Sequence, residues 1–462
     1  MIIMAYSTYD AASIDGFLGA PEYSYWFVRR AFWPMLERFG IVVPVTDPAR
    51  EVDTIQRTAD ARGVPCVFFG FEPPHKIVLG LRCTTVPVFA WEFDTIPDEV
   101  WEDDPRHDWT SVLKATGLAI THSSFSVDVV KRRMGQDFPI WSIPAPVYDA
   151  HAHHVATACG WQAPAILPIT GIALDSRQLD LAPFSMQRAH EDGIASLRAL
   201  AALVEQPDRL AKDLHVSGVI YTAIFNPIDG RKNWTDLLVG FVWAFRDEPN
   251  AILVMKVTHY DPVRGLMPLL SDLAKLGSFR CRVILIHGML PDSEYQALIR
   301  LTSYTINAST NEGQCLPLME FMSAGRPAIS PLHTAMLDYI SPENAFLVDT
   351  FAHPASWPHD PREAVRTVRH TTRFPSLVHA YHESFRVARD DTARYAAMSQ
   401  AATNALAAFC SNELVAGRLA EVFGHLAMAT PQHAAGAAAA GIGESIDTIK
   451  TTSISRSAAD VA

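Results

Sequence analysis

Short apolar runs of strand length alternate with segments of helical period along most of this chain, which restricts it to an α/β fold built on parallel sheets. Residues 2–7 read as a first strand. A loop containing Gly16 and Gly19 follows, then an amphipathic helix through Trp26, Val28, Phe32 and Leu36. Further strands are expected at 41–45, 65–70, 86–90 and 117–121, and this series ends near Ile143-Pro144-Ala145-Pro146-Val147, where paired prolines mark a connection. A second series begins at Val216-Ser217-Gly218-Val219-Ile220-Tyr221-Thr222 and continues with strands at 251–257, 282–287, 303–308 and 326–330. The helix expected at 235–246 sets Leu237, Leu238, Phe241, Val242 and Phe245 on one face, as packing on a sheet requires.

The remaining segments are less regular. Residues 148–215 include Ala/His-rich stretches and a helix pattern around 190–213, and read as linker plus insertion. Helices near 376–390 and 393–424 close the fold, and the Ala/Gly/Ser/Thr-rich tail from 429 has too little apolar content to pack, so disorder is expected there. The expected division is 1–147, 148–215, 216–375, 376–428 and 429–462.

Composition narrows the function classes. A net charge of −12 over 462 residues argues against a broad nucleic-acid-binding face. It leaves room for phosphate ligands, which a few local cations and a helix N-terminus can hold. The six cysteines (Cys66, Cys83, Cys159, Cys281, Cys315, Cys410) form no C-x-x-C pair and read as reduced, buried small hydrophobes. The start, Met1-Ile2-Ile3-Met4-Ala5-Tyr6, lacks the basic region of a signal peptide, and no apolar run approaches the ~18 residues of a membrane span. A soluble, cytoplasmic protein is expected, with peripheral membrane contact left open. Arg29-Arg30 beside Trp26, Phe32 and Trp33 fits either such a contact or a core helix with an exposed basic edge.

The most informative stretch runs Ser309-Thr310-Asn311-Glu312-Gly313-Gln314-Cys315-Leu316-Pro317-Leu318-Met319-Glu320 and on through Gly325-Arg326-Pro327. It reads as strand, Gly-containing loop, short helix, Gly stop and next strand. Pro317 suits the first helical turn, where its missing N–H costs nothing, and Gly325 suits the C-cap. Unpaired N–H groups at that helix start make an anion site suited to a diphosphate. Glu312 precedes the site and Glu320 lies within the helix, so the two carboxylates can bracket a ligand. Singly, each fits a loop or helix-surface carboxylate; the joint pattern favours a ligand site.

Glu312-x7-Glu320 within Glu-Gly-x-x-Leu-Pro-Leu-x-Glu-x-Met-x-Ala-Gly-x-Pro resembles the donor-site signature of retaining GT-B glycosyltransferases, family 4 in particular. The resemblance covers 216–350 well and extends more loosely over 1–147 and 376–425. It implies two Rossmann-like domains facing across a cleft, with the C-terminal helices crossing back to the N-domain. It also implies that Glu312 contacts the transferred sugar, that Glu320 holds the ribose hydroxyls, and that Gln314, Cys315 and Leu316 lie near the phosphate. Asn226-Pro227-Ile228-Asp229-Gly230-Arg231-Lys232-Asn233-Trp234 is similar to the family stretch that supplies cations to the diphosphate. Lys232 matches the family's Lys, but Asn226 stands where many members carry Arg, so either Arg231 or Lys256 takes over that role. Cations are disfavoured at a helix N-terminus, which favours ligand binding for Arg231 and Lys232.

His287-Gly288-Met289-Leu290-Pro291 with Asp292 and Glu294 is like the family's turn near the nucleobase, and Asp338 stands for the acid of a neighbouring loop. Gly16 and Gly19 resemble glycines that let the first loop approach the donor phosphate, though an ordinary turn fits equally. Trp91 to Trp101 looks like an acceptor-side segment, in which Glu92 either positions or deprotonates the acceptor or is a plain strand-end carboxylate. The resemblance further implies a nucleotide-sugar donor, a saccharide or lipid-linked saccharide acceptor, retention of configuration and no metal, in assembly of a bacterial surface polysaccharide or exopolysaccharide.

Other signals carry less. His151, His153 and His154 lie in an irregular segment without metal-ligand spacing, and Glu102-Asp103-Asp104 reads as a solvated loop. His122 reads as a hydrogen-bonded core histidine. No Gly-x-Gly-x-x-Gly or Walker-type loop occurs. A nucleotide-sugar epimerase on the same fold, or a non-catalytic sugar- or nucleotide-binding module, stands as the alternative.

Overall fold

The first apolar series folds into one all-parallel sheet of β1 (Ile2–Tyr6), β2 (Ile41–Pro44), β3 (Cys66–Phe71), β4 (Thr85–Phe89), β5 (Ala119–Thr121) and β6 (Ile140–Ser142), in the order β2-β1-β3-β4-β5-β6. The computed structural model describes residues 1–429 apart from 187–189, 191, 193, 206–212, 359 and 361. The tail expected to be disordered, and parts of the 190–213 helix pattern, therefore lie outside the described residues.

The second sheet contains β7 (Gln162–Pro168), β8 (Ile172–Asp175), β9 (Asp213–Phe225), β10 (Ala251–Val257), β11 (Arg282–His287), β12 (Tyr304–Ile306), β13 (Ala328–Ser330) and β14 (Ala345–Leu347). Its order is β14-β13-β12-β9-β10-β11-β8, with β7 paired to β9. All seven residues of β10 are buried, because helices cover both faces of a parallel strand. Each of its large apolar side chains contributes about 1.5–3 kcal/mol by leaving water.

Residues 148–215, expected as linker and insertion, instead supply two strands to this sheet. β7 runs antiparallel to the first half of β9, and β8 runs antiparallel to β11 with Ile172 opposite His287. A buried Asp175–Arg282 ion pair at 2.7 Å ties β8 in place. A second feature without a sequence signal is the antiparallel hairpin of β15 (Thr350–Ser356) and β16 (Arg366–Thr372). It reaches to the first domain, where Asp94 accepts from Thr367 Oγ1 at 2.7 Å and from the Val368 N–H at 2.8 Å.

Of the closing helices, Phe374–Asp390 packs on the second domain, whereas Thr392–Cys410 and Asn412–Ala429 carry the chain back to the first domain. Phe423 stacks on Phe39 with ring centroids 4.6 Å apart, and Leu406, Leu419 and Val422 share one apolar core with Val67, Phe69 and Val86. The architecture is thus two Rossmann-like domains joined by returning helices. Among the described residues no helix is long and apolar enough to cross a membrane.

Candidate functional site

In open α/β sheets, ligands bind beyond the carboxyl ends of the strands. Here those ends face each other across a cavity of about 750 Å³. One wall comes from the segments after β1, β3 and β4, and the other from those after β9, β10, β11 and β12.

The Glu312 loop is fixed from both sides. The Glu312 N–H donates to Thr334 Oγ1 at 3.0 Å and its carbonyl accepts from Ala335 N at 3.2 Å. A Cβ on Gly313 would lie 3.1 Å from both Ala90 Cβ and the Trp91 nitrogen, so a side chain there would push the loop a few tenths of an ångström off the end of β4. Cys315 then takes a left-handed conformation (φ 64°) and turns the chain into the helix Leu316–Ser323, with Pro317 in its first turn. Gly325, also left-handed at φ 75°, ends it, and the Arg326 N–H bonds back to the Phe321 carbonyl at 3.0 Å. Cys315, Leu316 and Pro317 line the cavity, so this helix presents its positive end to it. Burial pushes the Cys315 thiol up, and the nearby Glu312 carboxylate adds to that effect.

Charged side chains surround this helix end. Lys232 Nζ lies 2.7 Å from Glu312 Oε1. Arg231 reaches Asp229 at 2.7 Å, the Asn311 carbonyl at 3.0 Å and, across the cleft, Glu92 at 3.2 Å. Burial opposes the charge on both cations, but the adjacent carboxylates outweigh it and both stay protonated. Lys256, near the end of β10, donates to Thr258 Oγ1 at 3.0 Å. Burial pushes its ammonium down to about 8 against the opposing pull of Glu320. Glu320 itself accepts a hydrogen bond from the Tyr295 hydroxyl.

The cavity therefore gathers Glu312, Glu320, Arg231, Lys232, Lys256, Asn226, Gln314, Cys315, Leu316, Met289 and Glu92 into one lining. Gly16 is the exception. It sits exposed in the short turn Ile14–Phe17, where an added Cβ would meet nothing within 4 Å. Gly19 makes the close approach instead: at φ +80° it carries no Cβ, and one built there would fall 2.7 Å from the Thr258 carbonyl oxygen. Its own carbonyl accepts from Asn226 Nδ2 at 2.8 Å, so Asn226 clasps the first-domain loop over the second domain.

The structure also places the remaining candidates, and His122 sits as expected, in the core. Glu294 turns away from the cavity and accepts from the Thr170 N–H at 3.2 Å, leaving Asp292 in the lining. Asp338 faces the first domain, where it accepts from the Ser124 N–H at 2.8 Å. Arg29 is buried, whereas exposed Arg30 stacks 4.8 Å above Trp26 and borders the cavity. His122 is fully buried and bonded to the Ile143 carbonyl at 2.9 Å. His154 pairs with Gln296 at 2.6 Å, and among the described residues no cluster of His, Cys, Asp or Glu is arranged to hold a metal.

Three lining features escaped sequence reasoning. Tyr295 had no motif to mark it. Trp357 arrives on the β15–β16 connection and packs against Trp91 and Trp101 at 5.5 and 6.2 Å. The Glu22–Lys76 ion pair at 3.0 Å joins two loops far apart in the chain.

No protein-family model matches this chain, and no curated protein matches it in sequence. Solved structures match it in fold. A glycosyltransferase from Rickettsia africae ESF-5 superposes with a TM-score of 0.52 at 10% identity, over 93% of this chain and 99% of that one. Sucrose-phosphate synthase from Thermosynechococcus elongatus gives the same TM-score and coverage at 13% identity. The chain spans 55% of the length of S. aureus TarM, which it matches at a TM-score of 0.45 and 10% identity. The likenesses to the Rickettsia africae and Thermosynechococcus elongatus proteins establish the fold, and it is GT-B.

Proposed function

We propose that this chain transfers a sugar from a nucleotide-sugar donor to an acceptor hydroxyl, with retention of configuration. One observation carries the reading: Glu312 and Glu320 flank the positive end of a single helix, Lys232, Arg231 and Lys256 lie around it, and all five line one interdomain cleft. A nucleoside diphosphate leaving group needs fixed positive charge where its own negative charge grows. The helix end and the cations around it are the groups placed to supply that charge within the cleft.

In this reading Glu320 receives the ribose hydroxyls and Glu312 the transferred sugar, while Gln314, Cys315 and Leu316 lie beside the distal phosphate. The acceptor oxygen forms a bond to the anomeric carbon as the anomeric carbon–phosphate oxygen bond breaks. The departing phosphate oxygen takes the acceptor's proton, so no separate base is required. Glu92, paired with Arg231, serves to position the acceptor and not to deprotonate it. Positioning and electrostatics then account for the rate enhancement. The acceptor class that fits is a saccharide or lipid-linked saccharide, in polysaccharide assembly, with no metal cofactor.

The test incubates the protein with UDP-, GDP- and ADP-sugars and saccharide acceptors, with and without EDTA, and follows nucleotide release and glycosylated product. Glycosylated product that survives EDTA and falls about 10²–10³-fold in Glu320→Gln supports the reading. Isomerised donor without acceptor modification would make the protein an epimerase. Folded protein that turns over no donor would leave a binding module.

A further inference from the structure

The three cations that the second domain contributes to the cleft are not equivalent. Arg231 already faces Glu92 and Asp229, and Lys232 already faces Glu312. Arg231 and Lys232 against Glu92, Asp229 and Glu312 sum to −1, so the positive charge of this cluster is already matched before a diphosphate binds. Lys256 stands apart from that network. It is buried in the same cavity, donates to the neutral Thr258 hydroxyl at 3.0 Å, and forms no ion pair among the described residues. The titratable and charged groups around it are Glu320, Tyr295 bonded to Glu320, Arg30 near Tyr295 from the first domain, His287 at the end of the neighbouring strand and His259 just beyond β10. His287 is kept neutral by burial, its imidazolium pushed down to about 4, so it adds no competing cation.

The loop geometry converges on the same point. Gly19 lies against the Thr258 carbonyl, two residues beyond Lys256, and Asn226 holds the loop there. Asn226 occupies the position where the similar family stretch often carries a cation, and here it serves as a clasp. The missing charge is returned one strand over, by Lys256 on β10.

We infer that Lys256 is the principal cation for the donor's diphosphate, and that the diphosphate draws a proton onto its amine when it binds. The inference rests on the nucleotide-sugar reading of the cleft. Burial, partly offset by Glu320, holds the free amine near 8, so part of the population is neutral in mildly alkaline solution. A diphosphate alongside favours the ammonium and raises its pKa. Binding above pH 8 therefore takes up protons, and affinity falls as pH rises past that point.

Calorimetry of UDP, GDP and ADP at pH 8.5, in two buffers of different ionisation enthalpy, reads the uptake without any mutation. About 0.7 proton per diphosphate is expected at pH 8.5, shrinking toward zero by pH 7. Lys256→Met should weaken the bound diphosphate by about 100-fold and abolish the uptake, as loss of one charge-assisted hydrogen bond implies. The corresponding monophosphate should change by less than about threefold. Diphosphate binding with no proton uptake, or with unchanged affinity in Lys256→Met, would overturn the inference and leave the nucleotide-sugar reading intact. Failure of all three nucleotides to bind the folded wild-type protein would remove both.

Discussion

The Lys232–Glu312 pair sets how firmly the loop before the helix Leu316–Ser323 is held, and its energy can be worked from the structure. The two charges are 2.7 Å apart, with side chains 19% and 4% exposed. At an effective dielectric constant of 20 their gross attraction is about 6 kcal/mol, most of it offset by desolvation of the two groups. Removing one partner strands the other in a buried site, at a cost of about 3–5 kcal/mol. Lys232→Met and Glu312→Gln should therefore each destabilise the second domain by about 3 kcal/mol. The double variant should lose little more than either single one, a coupling of about 2–3 kcal/mol. Lys232 has its pKa raised, because Glu312 overcomes the effect of burial. Such a group keeps its full contribution below its unfolded value near 10.4 and loses it only as pH climbs through the folded pKa. The coupling should thus be flat from pH 6 to pH 9. Urea unfolding of the four proteins, followed by tryptophan fluorescence, measures it. Additive losses, with coupling below about 0.5 kcal/mol, would show that the pair does not hold the loop.

Gly19→Ala places a methyl 2.7 Å from the Thr258 carbonyl at a φ of +80°, so turnover should drop at least tenfold with little change in melting temperature; unchanged turnover would show that this approach is dispensable. Tyr295→Phe removes the hydroxyl bonded to Glu320 and should raise the UDP dissociation constant about fivefold by calorimetry, with Glu320→Gln showing no further sensitivity to it. Glu72, buried beyond β3, has its carboxyl pushed up to about 8, chiefly by burial. The folded state then holds a proton that the unfolded chain releases above about pH 4.3, so this group's stability contribution falls as pH rises from there to 8. Glu72→Gln should flatten that slope and raise the melting temperature at pH 8.5 but not at pH 4.5.

Features set by neighbours in sequence were legible in advance. Strands β10 and β11 match their apolar runs at both ends, because a strand buried on both faces leaves an unbroken hydrophobic record. The segment from Glu312 to Gly325 was equally readable, since Pro317 and Gly325 fix backbone geometry through their own covalent structure. Pairings between distant segments left no such record. The strand β7 and the hairpin β15–β16 carry mixed, partly exposed side chains and β8 is only four residues long, so their strand identity comes from the partner they join.

The sequence by itself determined two α/β series and a loop–helix element with carboxylates at Glu312 and Glu320, because periodicity, glycine and proline act over a few residues. Only the tertiary structure decided which of Gly16 and Gly19 meets the opposite domain, how Glu92 closes on Arg231, and why Lys256 stands outside the ion pairs of Arg231 and Lys232. Those outcomes depend on burial and on distances across the cleft, which arise only when residues far apart in the chain are brought within a few ångströms of one another.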